Sequence, residues 1–310
     1  MAKFIFGRIL VAVPVLIGIT IVSFMIIHLI PGSPAQAMLF GSNPTPQQVH
    51  NLEVQLGLNR PLYLQYAKYV WALLHGDLGT SFVTGRGVAS ELMSRAPSTF
   101  VLSGAAMLVA IVVGIPFGIV GGVAPGSIGD RVARFVSVSG VAIPYFWLAL
   151  IFTLIFAVRL QWFPAVGSQG IQSLVLPAVA LGWGYAAVLT RLIRSRLIEE
   201  YHSEYIKTAR AKGAGGTRVL LNHALRNAAI PTVTMLGLQV GNILTGAAVI
   251  EVIYGRPGLG SYLVSSISAK NIPVVQGAVL FIGVAYIGIN LVVDLLVGII
   301  DPRTRKSVAA

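Results

Sequence analysis

Six stretches of this chain run apolar for about twenty residues or more, the length that carries a helix across a hydrocarbon core. They are Ile9 to Ile30, Thr99 to Val123, Phe135 to Val158, Ser173 to Ile193, Ile230 to Ile253 and Val274 to Ile300. The pattern predicts an all-α polytopic membrane protein with six transmembrane helices. Between the first two spans, Thr45 to Leu74 keeps a helical period, with Val49, Leu52, Leu56, Tyr63, Tyr66, Val70 and Leu74 as its apolar markers. Pro46 suits the first turn of such a helix. The expected organisation is a tip and first span over 1–30, a small helical insertion over 31–98, spans two to four over 99–193, a polar loop over 194–229, the last two spans over 230–300 and a tail over 301–310. The first span is longer than a secretory apolar region and lacks a small-residue cleavage site, so it is expected to stay as an anchor.

The polar loop carries the most local structure. Glu199 to Lys212 is a run of good helix formers, and Gly213, Gly215 and Gly216 are placed to end it, since glycine accepts the positive φ that closes a helix. Thr217 can cap a second helix in which Leu220, Leu221, Ala224 and Leu225 share a face and Arg218 and Arg226 stay polar. Two readings stand: a solvated loop that fixes topology, or a helix-turn-helix knob that docks a soluble partner.

Composition narrows the class. The chain of 310 residues is 55% hydrophobic and 10% charged, with mean hydropathy +0.82, far below the roughly 25% charge of a soluble domain. With no cysteine, disulfides, thiolate nucleophiles and cysteine-bound metals are excluded. A net charge of +12 raises the question of nucleic acid, but the cations lie between apolar spans, so they read as topology and lipid contacts. With a cytoplasmic N-terminus, fifteen of the 22 Lys and Arg residues fall on the inside, eight of them between Arg191 and Arg226. Both termini and the knob are therefore expected in the cytoplasm.

Polar and punctuating residues mark the spans themselves. Gly114, Pro116, Gly118, Gly121 and Gly122 loosen the second span, and close helix contact is their expected purpose, with a hinge as the alternative. The short turn PGSIGDRVAR follows, with Arg131 and Arg134 at the surface. In the third span Tyr145 and Phe146 follow Pro144, either as buried packing or as pathway lining. Gln239, Asn242 and Thr245 recur at i, i+3 and i+6 in the fifth, with Thr234 close to the same stripe; they either glue helices or line a watery path. Glu251, at the outer end, is either solvated or paired with Arg256. Asn290 and Asp294 lie one turn apart in the last span, near enough to its inner end to reach water. No G-x-x-x-x-G-K-[ST] loop, H-E-x-x-H motif or nucleophile elbow occurs, and the five histidines lack metal-ligand spacing. The triplet Asn43-Pro44-Thr45 has proline in the middle and is no glycosylation acceptor.

Several strings together resemble a known family. YIKTARAKGA from Tyr205 to Ala214 and HALRNAAIP ending at Pro231 resemble the EAA loop of permease subunits of ATP-binding-cassette importers. PGSP at Pro31, LGLNRPLYLQY at Leu56, GDLGTS at Gly76, the Pro-aromatic-Phe-Trp run at Pro144, YGRPGLG at Tyr254 and the closing N…D…DPR look like its dipeptide and oligopeptide branch. One departure is plain: Lys207 stands where the name-giving Glu would be. The resemblance implies a type I importer permease fold in a bacterial inner membrane. It also implies a second, paralogous permease, two ATP-binding subunits holding ATP and Mg, and an extracytoplasmic binding protein that delivers a dipeptide, an oligopeptide or a similar small solute. Taken with the residues themselves, ATPase coupling is expected at Glu204, Lys207, Ala209, Lys212, Gly213 and Ala214, and a pathway or gate at Tyr145, Phe146, Gln239, Asn242, Thr245 and Glu251. The chain itself would bind no cofactor or metal and catalyse nothing. An ion-coupled secondary transporter and, more remotely, a membrane-bound enzyme are the alternatives from other classes.

Overall fold

A computed structural model describes residues 2–29, 35–36 and 45–300, and no β-strand occurs among them. The PGSP opening at 31–34, Asn43 and Pro44, and the tail from 301 with Arg303, Arg305 and Lys306 lie outside the described residues. The long helices are α1 (Ala2–Leu29), α4 (Val88–Val123), α7 (Gln172–Tyr201), α10 (Leu225–Ile253) and α12 (Ile272–Ile300). Each contains a stretch apolar and long enough to cross a membrane, and a bent pair, α5 (Ile128–Ala142) with α6 (Tyr145–Phe152) and its π-helical continuation Thr153–Arg159, makes a sixth candidate span.

That pair departs from the expected continuous third span. Its two halves meet at 105°. Pro144 is the cause: its ring pushes the preceding residue out of helical geometry, and Ile143 sits at φ −97°, ψ 119°. The second span also starts earlier than Thr99. Val88, Leu92 and Ala96 recur every four residues on one buried face, so packing holds as helix a stretch too polar to register as a span. The insertion gives two helices rather than one. Thr45 caps α2 (Pro46–Leu56) through a reciprocal box with Gln48, and Gly57 at φ 76° ends it before α3 (Leu62–Leu74) begins.

The chain divides into two units, one built on Thr99–Arg256 and the other on Phe6–Ser98 with Pro257–Gly288. In the first, α5, α6 and α10 all pack on α7. The α4–α7 contact rests on a glycine ridge. A Cβ on Gly114, Gly118 or Gly122 would come within 2.6–2.8 Å of the Cβ of Leu189, Ile193 or Leu197, one pair per turn, so close packing is what these glycines serve. A core of Leu102, Ala106, Ala149, Leu181, Ile243, Ala247, Ile250 and Tyr254 fills the interior.

In the second unit, α11 (Leu259–Ser268) and the start of α12 pack on the first turns of α4. Tyr69 donates to Ser23 Oγ at 2.9 Å, which in turn donates to the Gln276 carbonyl. Glu91, 7% exposed, accepts from Thr84 Oγ1 and from the Tyr262 hydroxyl. Burial first, then this bond to Glu91, pushes the Tyr262 pKa up to about 12. The Arg95 guanidinium lies over the Tyr262 ring at 4.0 Å.

Candidate functional site

The knob between α7 and α10 is built from one short helix and a left-handed corner. α7 ends at Tyr201, Ser203 takes extended geometry before α8 (Glu204–Ala211), and Gly213 at φ 84° turns the chain. Ala214 then donates its N–H to the Ala209 carbonyl at 3.1 Å and Gly213 to that of Arg210 at 2.9 Å, satisfying carbonyls at the helix end. The return limb differs from the expected capped second helix. Gly215, not Thr217, precedes α9 (Gly216–Arg218), and a π turn over Val219–Ala224 leads without interruption into α10, with Pro231 inside that helix. The shared apolar face is Val219, Leu220, Ala224 and Leu225, while Leu221 is exposed, because the π turn shifts the register of the expected stripe.

This face roots the knob. Ile206, Val219, Ala224 and Ala228 form one buried cluster with Ile193 and Leu197 of α7, and Ile115 and Ile119 of α4 pack against it. Of the predicted coupling residues, Glu204, Lys207, Lys212 and Gly213 are exposed. Lys207 Nζ pairs with Glu204 Oε1 at 2.7 Å on the surface. Ala209 is half-buried, and Ala214 turns inward onto the root cluster.

Beside the root lies a constellation that the sequence reading missed. Asp130, 1% exposed, accepts from Arg194 Nε at 2.5 Å and Nη2 at 3.2 Å, pairs with Arg134 at 3.3 Å and accepts the Gly126 N–H at 2.8 Å. Ser127 caps α5 by accepting the Asp130 N–H. The carboxylate thus clamps the α4–α5 turn to the part of α7 that runs into the knob. The sequence signal was there: one acid in a turn with two arginines, in an S-x-x-D cap pattern. Its main partner lies 64 positions away.

The polar stripe of α10 divides. Asn242 and Thr245 are exposed, whereas Gln239 is 3% exposed and donates Nε2 to the Tyr185 carbonyl at 3.4 Å. Positions i to i+6 sweep an arc of about 120° at 3.6 residues per turn, so the first falls into the α7 contact while the others face out. Gln239 Oε1 is buried with no hydrogen-bond partner. Tyr145 is half-buried, and Phe146, 45% exposed, meets it edge-on at 6.3 Å between centroids.

Glu251 is not solvated. It is fully buried and accepts from Thr99 Oγ1 at 2.5 Å, because the chain folds back after Ile253 and Tyr254 anchors to the Ala149 carbonyl at 3.0 Å. Arg256, 4% exposed, donates Nη1 to the Ser173 carbonyl at 3.3 Å. Burial pulls its pKa below the ordinary guanidinium value, and the charge of Glu251 opposes that shift. The Arg256 backbone N–H also donates to the Glu251 carbonyl at 2.9 Å, so the two residues are held next to each other inside the protein.

Comparison with known proteins fits this architecture. The chain is 40% identical to the dipeptide transport system permease protein DppB of Alkalihalophilus pseudofirmus over 96% of its own length and 98% of that protein. It is 36% identical to the Escherichia coli (strain K12) DppB over 98% and 99%. The glutathione transport system permease protein GsiC of Escherichia coli O6:H1 is 38% identical over the same shares. Among solved structures, inward-facing MetNI methionine ABC transporter chains match with TM-scores of 0.54 and 0.57 at 18% and 19% identity, over 68% of this chain and 96% of those. This likeness speaks for the fold alone. The similarity to the named permeases, at 36–40% identity over nearly the whole chain, favours the permease reading over an ion-coupled transporter. Family models match residues 114–306, as the inner membrane component of binding-protein-dependent transport systems, and 1–103, as the N-terminal part of such a membrane component; the chain belongs to this family of inner membrane transport components.

Proposed function

We propose that this chain forms one half of the translocation path of an ATP-driven importer for short peptides. The observation that carries the cargo class is the similarity, over nearly the whole chain, to permeases named for dipeptides and for glutathione, itself a tripeptide. The chemistry common to both is a short peptide with charged ends. The partners are a second, paralogous permease, two ATP-binding subunits that hold ATP and Mg, and a binding protein on the outer face, with both termini of this chain in the cytoplasm.

The knob transmits the ATPase stroke. Glu204, Lys207, Lys212 and Gly213 offer an exposed polar corner to a soluble partner, and Ala209 and Ala214 let that corner sit close. Rooted on α4, α7 and α10, a push on the corner moves those helices together. Asn242 and Thr245, with Phe146 and Tyr145, line the path, and Gln239 changes partners as α10 moves against α7. Glu251 with Arg256 forms a polar lock at the opposite end of α10.

Affinity purification of a tagged chain from native membranes tests this directly, with copurifying proteins identified and ATPase activity and peptide uptake assayed. Recovery of ATPases and a second permease is expected. Gly213→Pro cannot adopt the φ of 84° and loses the N–H bonded to Arg210, so it should abolish uptake while membrane insertion persists. Normal uptake in that variant overturns the coupling role. Recovery of the chain alone, stable and transporting, overturns the importer reading.

A further inference from the structure

The second unit holds a crevice of about 440 Å³ lined by Ile26, Leu263, Ile267, Lys270, Ile272, Val275 and Val279. Six of its seven lining residues are aliphatic and the seventh is a cation. Water would fill it with about fifteen molecules at ~30 Å³ each and meet hydrogen-bonding side chains at one end only. The order of its wall matters more than its size. Ile26 is one residue from the end of the apolar stretch of α1, and Ile272, Val275 and Val279 occupy the first two turns of that of α12. The crevice thus starts at a membrane boundary, where Lys270 sits, and runs about 10 Å toward the hydrocarbon at 1.5 Å per residue. Charge at the boundary and aliphatic wall beneath is the polarity order of a phospholipid.

The backbone that carries the cation is also held in place. Lys270 adopts φ 53° in the turn between α11 and α12, with its N–H on the Ile267 carbonyl and its carbonyl taking the Ile272 N–H. Next to it, buried Asn271 donates to Ser81 Oγ at 2.8 Å and accepts the Phe82 N–H at 3.0 Å. Ile267, 56% exposed, forms a free apolar lip.

We propose that this crevice is a site for an anionic phospholipid, one acyl chain lying along Leu263, Ile267, Val275 and Val279 and the phosphate on Lys270. The proposal rests on the membrane-spanning fold and not on the cargo. The test uses the transporter complex purified in mild detergent and placed in nanodiscs of phosphatidylglycerol or of phosphatidylcholine, with retained lipid counted by native mass spectrometry through graded delipidation. Wild type should keep one phosphatidylglycerol after phosphatidylcholine is lost. Lys270→Gln should weaken that retention roughly fivefold, the effect of one cation at a charged membrane surface. Ile267→Trp, which fills the crevice from its exposed lip, should abolish retention with subunit assembly unchanged. Equal retention of the two lipids, or undiminished phosphatidylglycerol in both variants, overturns the site. Peptide uptake reports separately, so failure here leaves the importer reading standing.

Discussion

Asp130 and Glu204 each accept a cation at the same end of the first unit, and they do so in opposite surroundings. Asp130 is 1% exposed and takes two arginines and a backbone N–H; Glu204 is 86% exposed and takes Lys207, which is 62% exposed. A charge removed from water is tolerated only when its lone pairs are filled, so the Asp130 pair fixes one arrangement of three segments. An exposed pair three residues apart gains little, because water competes for both partners and both side chains lose freedom. The first therefore holds shape, and the second leaves its charges free to meet a partner. Residues that couple should be separable from residues that build, and six substitutions test that boundary.

The largest effect is expected at the clamp. Asp130→Ala leaves Arg194 beside a buried gap and releases the α4–α5 turn, so the solubilised chain should lose about 3 kcal/mol of stability, read as a lower thermal midpoint. Arg194→Ala should cost a comparable amount. The double variant should cost much less than the sum of the two, since both remove one interaction. Additive losses would show that the clamp is not a unit.

Two glycine-to-alanine changes come next and differ in cause. Gly118→Ala puts a Cβ 2.7 Å from that of Ile193, with the Thr190 carbonyl at 3.1 Å. Neither neighbour is a flexible chain end, so α4 and α7 must part, at about 1–3 kcal/mol. Gly213→Ala meets nothing within 4 Å, and its cost of about 1 kcal/mol comes only from the left-handed backbone. Melting should rank Gly118→Ala below Gly213→Ala, whereas ATP-coupled uptake should fall for both. A Gly213→Ala chain that melts early yet transports normally would place the corner among the building residues.

How far such features could be read from the sequence depended on how local their cause is. The spans were legible because a hydrocarbon core demands long apolar helices, and the start of α2 because Pro46 suits a first turn, although the reciprocal box of Thr45 with Gln48 came only with the structure. The bend at Pro144 was less so: hydropathy registers the run from Phe135 to Val158 as continuous and carries no information on direction. The knob's corner at Gly213 was legible from its glycines, but the π turn after Arg218 was not, since it arises from packing on Ile193 and Leu197. The position of Glu251 at a span's end leaves solvation and pairing with Arg256 both open in the sequence, and only the return of Tyr254 onto α6 and the Thr99 hydroxyl show it buried. Asp130 was missed because its arginines had been counted only for topology.

The smallest structural effect, and the sharpest test of the comparison, belongs to the exposed pair. Exchanging the charges by Glu204→Lys with Lys207→Glu preserves the i, i+3 attraction and should lower the stability by no more than about 0.5 kcal/mol, the cost of a cation in the first turn of an exposed helix. What changes is the field at the knob surface: the cation moves from the fourth residue of α8 to its first, where the helix dipole disfavours it, and any acidic patch on a partner faces the wrong sign. A like-charge contact at an interface costs association even when each subunit is intact, so ATPases should copurify poorly with the exchanged chain. Salt should sharpen the reading. Wild-type copurification should weaken from 0.05 M to 0.5 M salt as screening shortens the reach of exposed charges, and the exchanged chain should gain from the same change. The Asp130 clamp, shielded from solvent, should show no such dependence. Equal recovery of ATPases with both chains at every salt concentration would mean that the exposed charges merely solvate the knob, and coupling would then rest on the shape of the Gly213 corner alone.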